Sequence, residues 1–123
     1  MSKAGDEVQV ELPEMAALVA SYSMEGSLRD TTINLMDAVS AGTISYASSS
    51  KKEGTQSLVL NGQDAFLQLP AQVGNQTCFT IGAWVYWKNT GAPWTRIFDF
   101  GKGTAEYMVL TPSNGGQLCC VIQ

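Results

Sequence analysis

The chain has 123 residues, enough for one domain that buries roughly 65% of the surface its unfolded form exposes. Seven Lys and Arg against eleven Asp and Glu give a net charge of −4, with no window dense in Lys or Arg, so nucleic-acid phosphate and anionic membrane surfaces are repelled rather than gathered. Histidine is absent, which removes the commonest general base and the favoured transition-metal ligand and excludes His-dependent hydrolase triads and His-based zinc sites.

Residues 1–17 are polar and acidic and are broken by Pro13, so they read as a linker or N-terminal arm, with Val8 and Val10 as a possible edge strand and a single helical turn over 13–19. There is neither a basic start followed by an apolar run nor a stretch of the roughly 18 to 20 apolar residues that span a bilayer. Residues 18–26 (LVASYSMEG) alternate as a strand does. The next segment, 27–42, is a long loop rich in Asp, Thr, Asn and Ser. Short strands are predicted over 43–46 and 57–60, bridged by the polar run ASSSKKEGTQ, and over 65–69 after the turn NGQD at 61–64. Leu58 and Leu60 on one face, with Phe66 and Leu69 near the next, give the half-buried alternation of an antiparallel sheet.

Three further strands are predicted over 79–87 (FTIGAWVYW), 95–101 (TRIFDFG) and 106–110 (EYMVL), each rich in β-branched and aromatic residues and separated by turn clusters with Gly or Pro. Gly101-Lys102-Gly103-Thr104 faintly echoes a phosphate loop. It lacks the earlier glycine and the following helix, so it reads as a hairpin turn. A turn at 114–116 feeds a last apolar strand over 118–123, whose edge carries no Lys or Pro to block pairing with another chain. Cys119 and Cys120 point to opposite faces of that strand. Together with Cys78 they read as small apolar fillers, a bridge from Cys78 to one of the others being the alternative.

The stretch from Cys78 to Leu110 also carries a family likeness. It resembles the laminin-G-like branch of the concanavalin A-like lectin and glucanase superfamily, whose members read "FTIxAWVxW…W.RIFDFG…YMxLTP" here. The likeness extends upstream. LVASYSMEG is similar to the family's "LvAyYpFdG", with Tyr22, Met24 and Gly26 on matching positions, and SLVLNGQDAFLQLP is similar to "alxFnGxdDYVxLP". The loop at 27–42 resembles "LxDSSGNGNDGtxsG", keeping Asp30, Asn34 and Asp37, with Ile33 and Leu35 where that loop usually has glycine.

The resemblance implies an all-β, antiparallel, jelly-roll-like sandwich over 18–123. It implies a location at the cell surface or outside the cell, with an export signal removed or upstream. Complete domains of that family are longer, so the chain is expected to be the N-terminal part of one, an apparently truncated sandwich that pairs with a partner strand, in a homo-oligomer formed through its exposed C-terminal strand.

Related glycoside hydrolases place their acid and nucleophile on one strand as "ExDxxE", which sets alternate carboxylates on one face at the roughly 5 to 5.5 Å that retaining hydrolysis needs. This chain has no such run: Asp99 and Glu106 are isolated and Asp64 sits in a turn. The expectation is a non-catalytic, carbohydrate-binding module of a larger extracellular bacterial protein, such as a glycoside hydrolase. The alternative is a structural or protein-interaction domain with no sugar site. A third possibility is that catalytic carboxylates lie beyond Gln123. Aromatic rings stack on the C–H faces of sugars while carboxylates and amides bind the hydroxyls. Trp94, in the loop KNTGAPWT, is the leading candidate for glycan contact, with Trp87, read as core or rim, and Tyr107; Trp84 is read as core. For calcium, implied by laminin-G-like and pentraxin-like relatives, the matching positions are Glu25, Asp30 and Asp64, with Asn34 and Asp37 as further oxygen donors. The competing reading is that these residues simply shape turns. Arg96 and Asp99 read as a structural pair.

Overall fold

The computed structural model describes residues 17–88, 92–113, 115 and 117–123. Most of the arm at 1–17, and most of the turn at 114–116, thus lie outside the described residues. Among the described residues there are seven strands: β1 Val39–Ala41, β2 Ile44–Ala47, β3 Ser57–Leu60, β4 Phe66–Gln68, β5 Phe98–Lys102, β6 Glu106–Thr111 and β7 Cys119–Ile122, with a 3-10 turn at Ala71–Gly74. All pairings are antiparallel and the fold is all-β. β1 pairs with β4, β2 with β3, and β5, β6 and β7 form a meander in that order.

Local chemistry sets the two small sheets. Asn61 Oδ1 accepts from the backbone N–H groups of Gln63, Asp64 and Ala65, and its amide donates to Asp64 Oδ1 at 2.6 Å. That is the Asx-type turn that reverses the chain between β3 and β4. Gly42 follows β1 at φ +69°, and a Cβ there would stand 2.5 Å from the Asp64 carbonyl oxygen, so only glycine lets the two turns meet.

The meander obeys the period-2 rule. Val109 faces Asp99 on one side and Val121 on the other, while Phe98, Leu110 and Cys120 line the opposite face with Phe100, Met108 and Ile122. Phe98 and Phe100 share that face, their ring centroids 5.6 Å apart. Both faces of the sheet are therefore largely apolar, but only one is closed: Val109 and Thr111 are fully buried, whereas Ile122 is 75% exposed. Val109 and Ala38 are the only buried apolar residues among those described.

Two predicted strands do not form. Residues 79–87 belong to none of the three sheets, and 79–88 are exposed throughout. Trp84, read as core, is accordingly 70% exposed, because no described element covers it. Over 18–26 the strand reduces to one bridge, Tyr22 to Asp30, because Asp30 and the loop behind it take up the neighbouring donors. Ala17, Leu18 and Val19 are not helical.

Candidate functional site

The loop after Tyr22 is organised by one carboxylate. Asp30, 3% exposed, accepts from Ser21 N–H at 3.0 Å and Thr32 N–H at 2.9 Å on Oδ1, and from the Thr32 hydroxyl at 2.8 Å and Met36 N–H at 2.9 Å on Oδ2. A carboxylate offers about four lone-pair sites, and here protein donors fill all four. Burial would raise the pKa of Asp30, but these hydrogen bonds outweigh it and hold the carboxyl at about 2. Asp37 Oδ1 in turn accepts from Asp30 N–H at 2.9 Å, and the Asn34 amide donates to Val19 C=O at 2.8 Å. The Tyr22 hydroxyl donates to Met36 C=O at 2.7 Å. Burial first, then the charges of Asp30 and Asp37, raise its pKa above the ordinary 10.0.

Leu35 lies at φ +54°, in the left-handed region that glycine favours.

Glu25 pins a different loop. Its carboxylate accepts from the Thr55 hydroxyl, from Thr55 N–H at 2.9 Å and from Gln56 N–H at 3.2 Å. The hydroxyl bond, then those of Gln56 N–H and Thr55 N–H, hold its carboxyl below the ordinary 4.5. A Cβ on Gly54 would stand 2.1 Å from Glu25 Oε1, so the contact requires glycine there. Asp64 is engaged in the Asn61 turn. Glu25, Asp30 and Asp64 therefore shape three separate pieces of backbone. Among the described residues no group of three acidic or cysteine side chains could hold a metal ion. These carboxylates do not fit one shared calcium site.

The aromatic candidates also separate. Trp94 sits at φ +64°, its N–H donating to Ser113 C=O at 2.8 Å and its C=O accepting from Arg96 Nε at 3.1 Å, with the ring exposed. Tyr107 lies half-buried on β6, where its hydroxyl bonds Gln123 Oε1 at 3.1 Å and its backbone pairs with Gln123 in both directions. Trp87 is exposed on the unpaired segment. Phe98 with Phe100 is the one ring pair among the described residues, so Trp87, Trp94 and Tyr107 do not form a shared platform. Arg96 and Asp99 form the expected ion pair, both side chains partly exposed.

An open cleft of about 480 Å³ lies elsewhere, lined by Tyr22, Glu53, Gly82, Ala83 and Trp84. Lys52 Nζ stands 4.9 Å from the Trp84 ring centroid, over its face, a cation–π contact. A broad apolar plate, a phenol and a carboxylate thus line one opening, with the Lys52 ammonium over the plate. Sequence reasoning assigned Trp84 to the core and gave Lys52 and Glu53 no role. The available signal was the Lys51-Lys52-Glu53 run inside the long β2–β3 connection, since charged loop residues on a rigid scaffold are where binding groups tend to sit. A smaller cleft of about 280 Å³ is lined by Ser27, Arg29, Asp30, Thr31, Thr32 and Leu35, but the Asp30 oxygens in it are already taken.

Among the described residues no helix is long and apolar enough to cross a membrane. Cys78, Cys119 and Cys120 are all free thiols. Comparison with protein-family models, with curated proteins and with solved structures found no match.

Proposed function

We propose that the chain is a non-catalytic, lectin-like carbohydrate-binding module of a larger extracellular protein, with Trp84 as its stacking platform. One observation carries the reading: the Trp84 ring is 70% exposed on the wall of a cleft that Tyr22 and Glu53 also line, with Lys52 over the ring. Exposing an indole to water has a cost of order 1.5–3 kcal/mol relative to burial, and a flat, rigid ring flanked by a donor and an acceptor suits the apolar face and rim hydroxyls of a pyranose. Glu53 accepts hydroxyl hydrogens and Lys52 donates to hydroxyl oxygens. Tyr86, 76% exposed and two residues along, would extend the surface to a second sugar unit.

Absence of hydrolysis belongs to the same reading. Asp99 is paired to Arg96 and the Asp30 oxygens are saturated, so neither is poised as a nucleophile or general acid. The test is affinity electrophoresis and a glycan array with arabinan, xylan, β-glucan and galactan. Binding is expected to at least one, lost in Trp84→Ala, with no reducing ends released. Failure to bind any glycan would favour a protein-interaction domain, the second reading, which the exposed apolar run at 79–87 supports.

A further inference from the structure

The segment with the strongest strand pattern has no strand partner among the described residues. Residues 79–87 are rich in β-branched and aromatic side chains, with apolar residues at 79, 81, 83, 85 and 87, yet they lie outside every described sheet. Among the described strands, β7 has an edge with no partner. β7 ends the meander, and Tyr107 and Gln123 exchange both of their backbone hydrogen bonds. In an antiparallel ladder such pairs alternate, so Val121 and Cys119 also bond inward to β6, while the N–H and C=O groups of Cys120 and Ile122 point to the free edge. That edge bears no charge from Gln117 to Gln123 and no proline to deter pairing.

We propose that the segment at 79–87 of one copy adds as a strand to the free edge of β7 in a second copy, and reciprocally, giving a two-fold dimer. Once the segment is extended, alternate side chains divide between its faces. Phe79, Ile81, Val85 and Trp87, now between 38% and 51% exposed, would stand beside the exposed Cys120 and Ile122 and extend the open apolar face. At 150–250 Å² for a whole ring, Phe79 and Trp87, 48% and 38% exposed, offer on the order of 150–200 Å², and Ile81 and Val85 add a comparable amount. The receiving edge, with Leu118 and Ile122 exposed, adds a comparable amount. Each copy gives one strand and receives one, so the total per partner approaches the roughly 800 Å² of a standard interface. Trp84 and Tyr86 fall on the other face of the added strand and stay open to ligand.

The test is light scattering after size exclusion on the intact chain, combined with hydrogen exchange over 79–88. At tens of micromolar the mass should be about 26 kDa, twice the 13.2 kDa of one chain, with those amides protected, and protection should fade on dilution. Val85→Pro removes a donor from the segment, and Ile122→Pro removes an outward one from the edge, where proline is tolerated. Each should give a monomer. A wild-type chain that stays near 13 kDa on concentration, or a dimer in which 79–88 exchange freely, overturns the proposal. The exchange measurement decides the matter even where a proline variant fails to fold.

Discussion

At the scale of single residues, the fold rests on polar side chains placed where backbone donors need acceptors. Asp30 alone satisfies the N–H groups of Ser21, Thr32 and Met36. Its folded-state pKa of about 2 lies below the ordinary 3.8, so the unfolded chain binds the proton more readily. The stability this group contributes is complete above about pH 4 and is lost as pH falls through 3.8 toward 2, a window that the depressed Glu25 carboxyl extends upward. Asp30→Asn should flatten the fall of the urea midpoint across that range, and an unchanged slope would contradict the role given to Asp30. Leu35 offers a second test. The left-handed backbone costs an L residue roughly 1–2 kcal/mol, and the exposed Leu35 side chain gains little burial in return. Leu35→Gly should raise the melting temperature and the β-branched Leu35→Val should lower it. The reverse order would show that the loop does not hold this φ in solution.

At the scale of elements, β3, β6, β7, the Asn61 turn and the hairpin at Gly103 were legible in the sequence because each is specified locally, by alternation or by a side chain that bonds its own backbone. The segment at 79–87 was not. Alternation says what a strand would bury, but it does not say which edge the strand will pair with, and within the chain none of the described strands pairs with this segment. The same limit misplaced Trp84, whose assignment to the core depended on that pairing. The proposed calcium ligands were legible as loop-shaping residues and not as a cluster, since no spacing rule tells whether Asp30 spends its lone pairs on backbone or on a cation. Within the β5–β6 hairpin, Gly101 faces Tyr107, and a Cβ there would meet the Glu106 carbonyl oxygen at 2.3 Å and Tyr107 Cα at 2.6 Å. Gly101→Ala should therefore cost about 1–3 kcal/mol by forcing the two strands apart. A melting temperature equal to wild type would mean that the strands do not approach so closely.

At the scale of the whole molecule, three small antiparallel sheets leave much of the apolar surface outside. Among the described residues only Ala38 and Val109 are buried apolar side chains, and contiguous exposed patches of this kind mark surfaces that meet something else. The account divides that surface in two: a sheet edge with an unpaired segment that meets a second copy, and an indole with charged neighbours that meets a sugar. The two roles differ in what truncation does. Trp84 is exposed, so its loss should leave the stability within about 1 kcal/mol of wild type, whereas truncating a core tryptophan costs about 3–5 kcal/mol. Isothermal titration of the wild-type chain and of Trp84→Ala with the best glycan from the array tests the central claim most directly. The account predicts saturable binding by the wild type and at least a tenfold weaker affinity in a variant that melts at the same temperature, a loss of about 1.4 kcal/mol. Equal affinity in the two proteins, or a variant that loses binding only because it has unfolded, would contradict it.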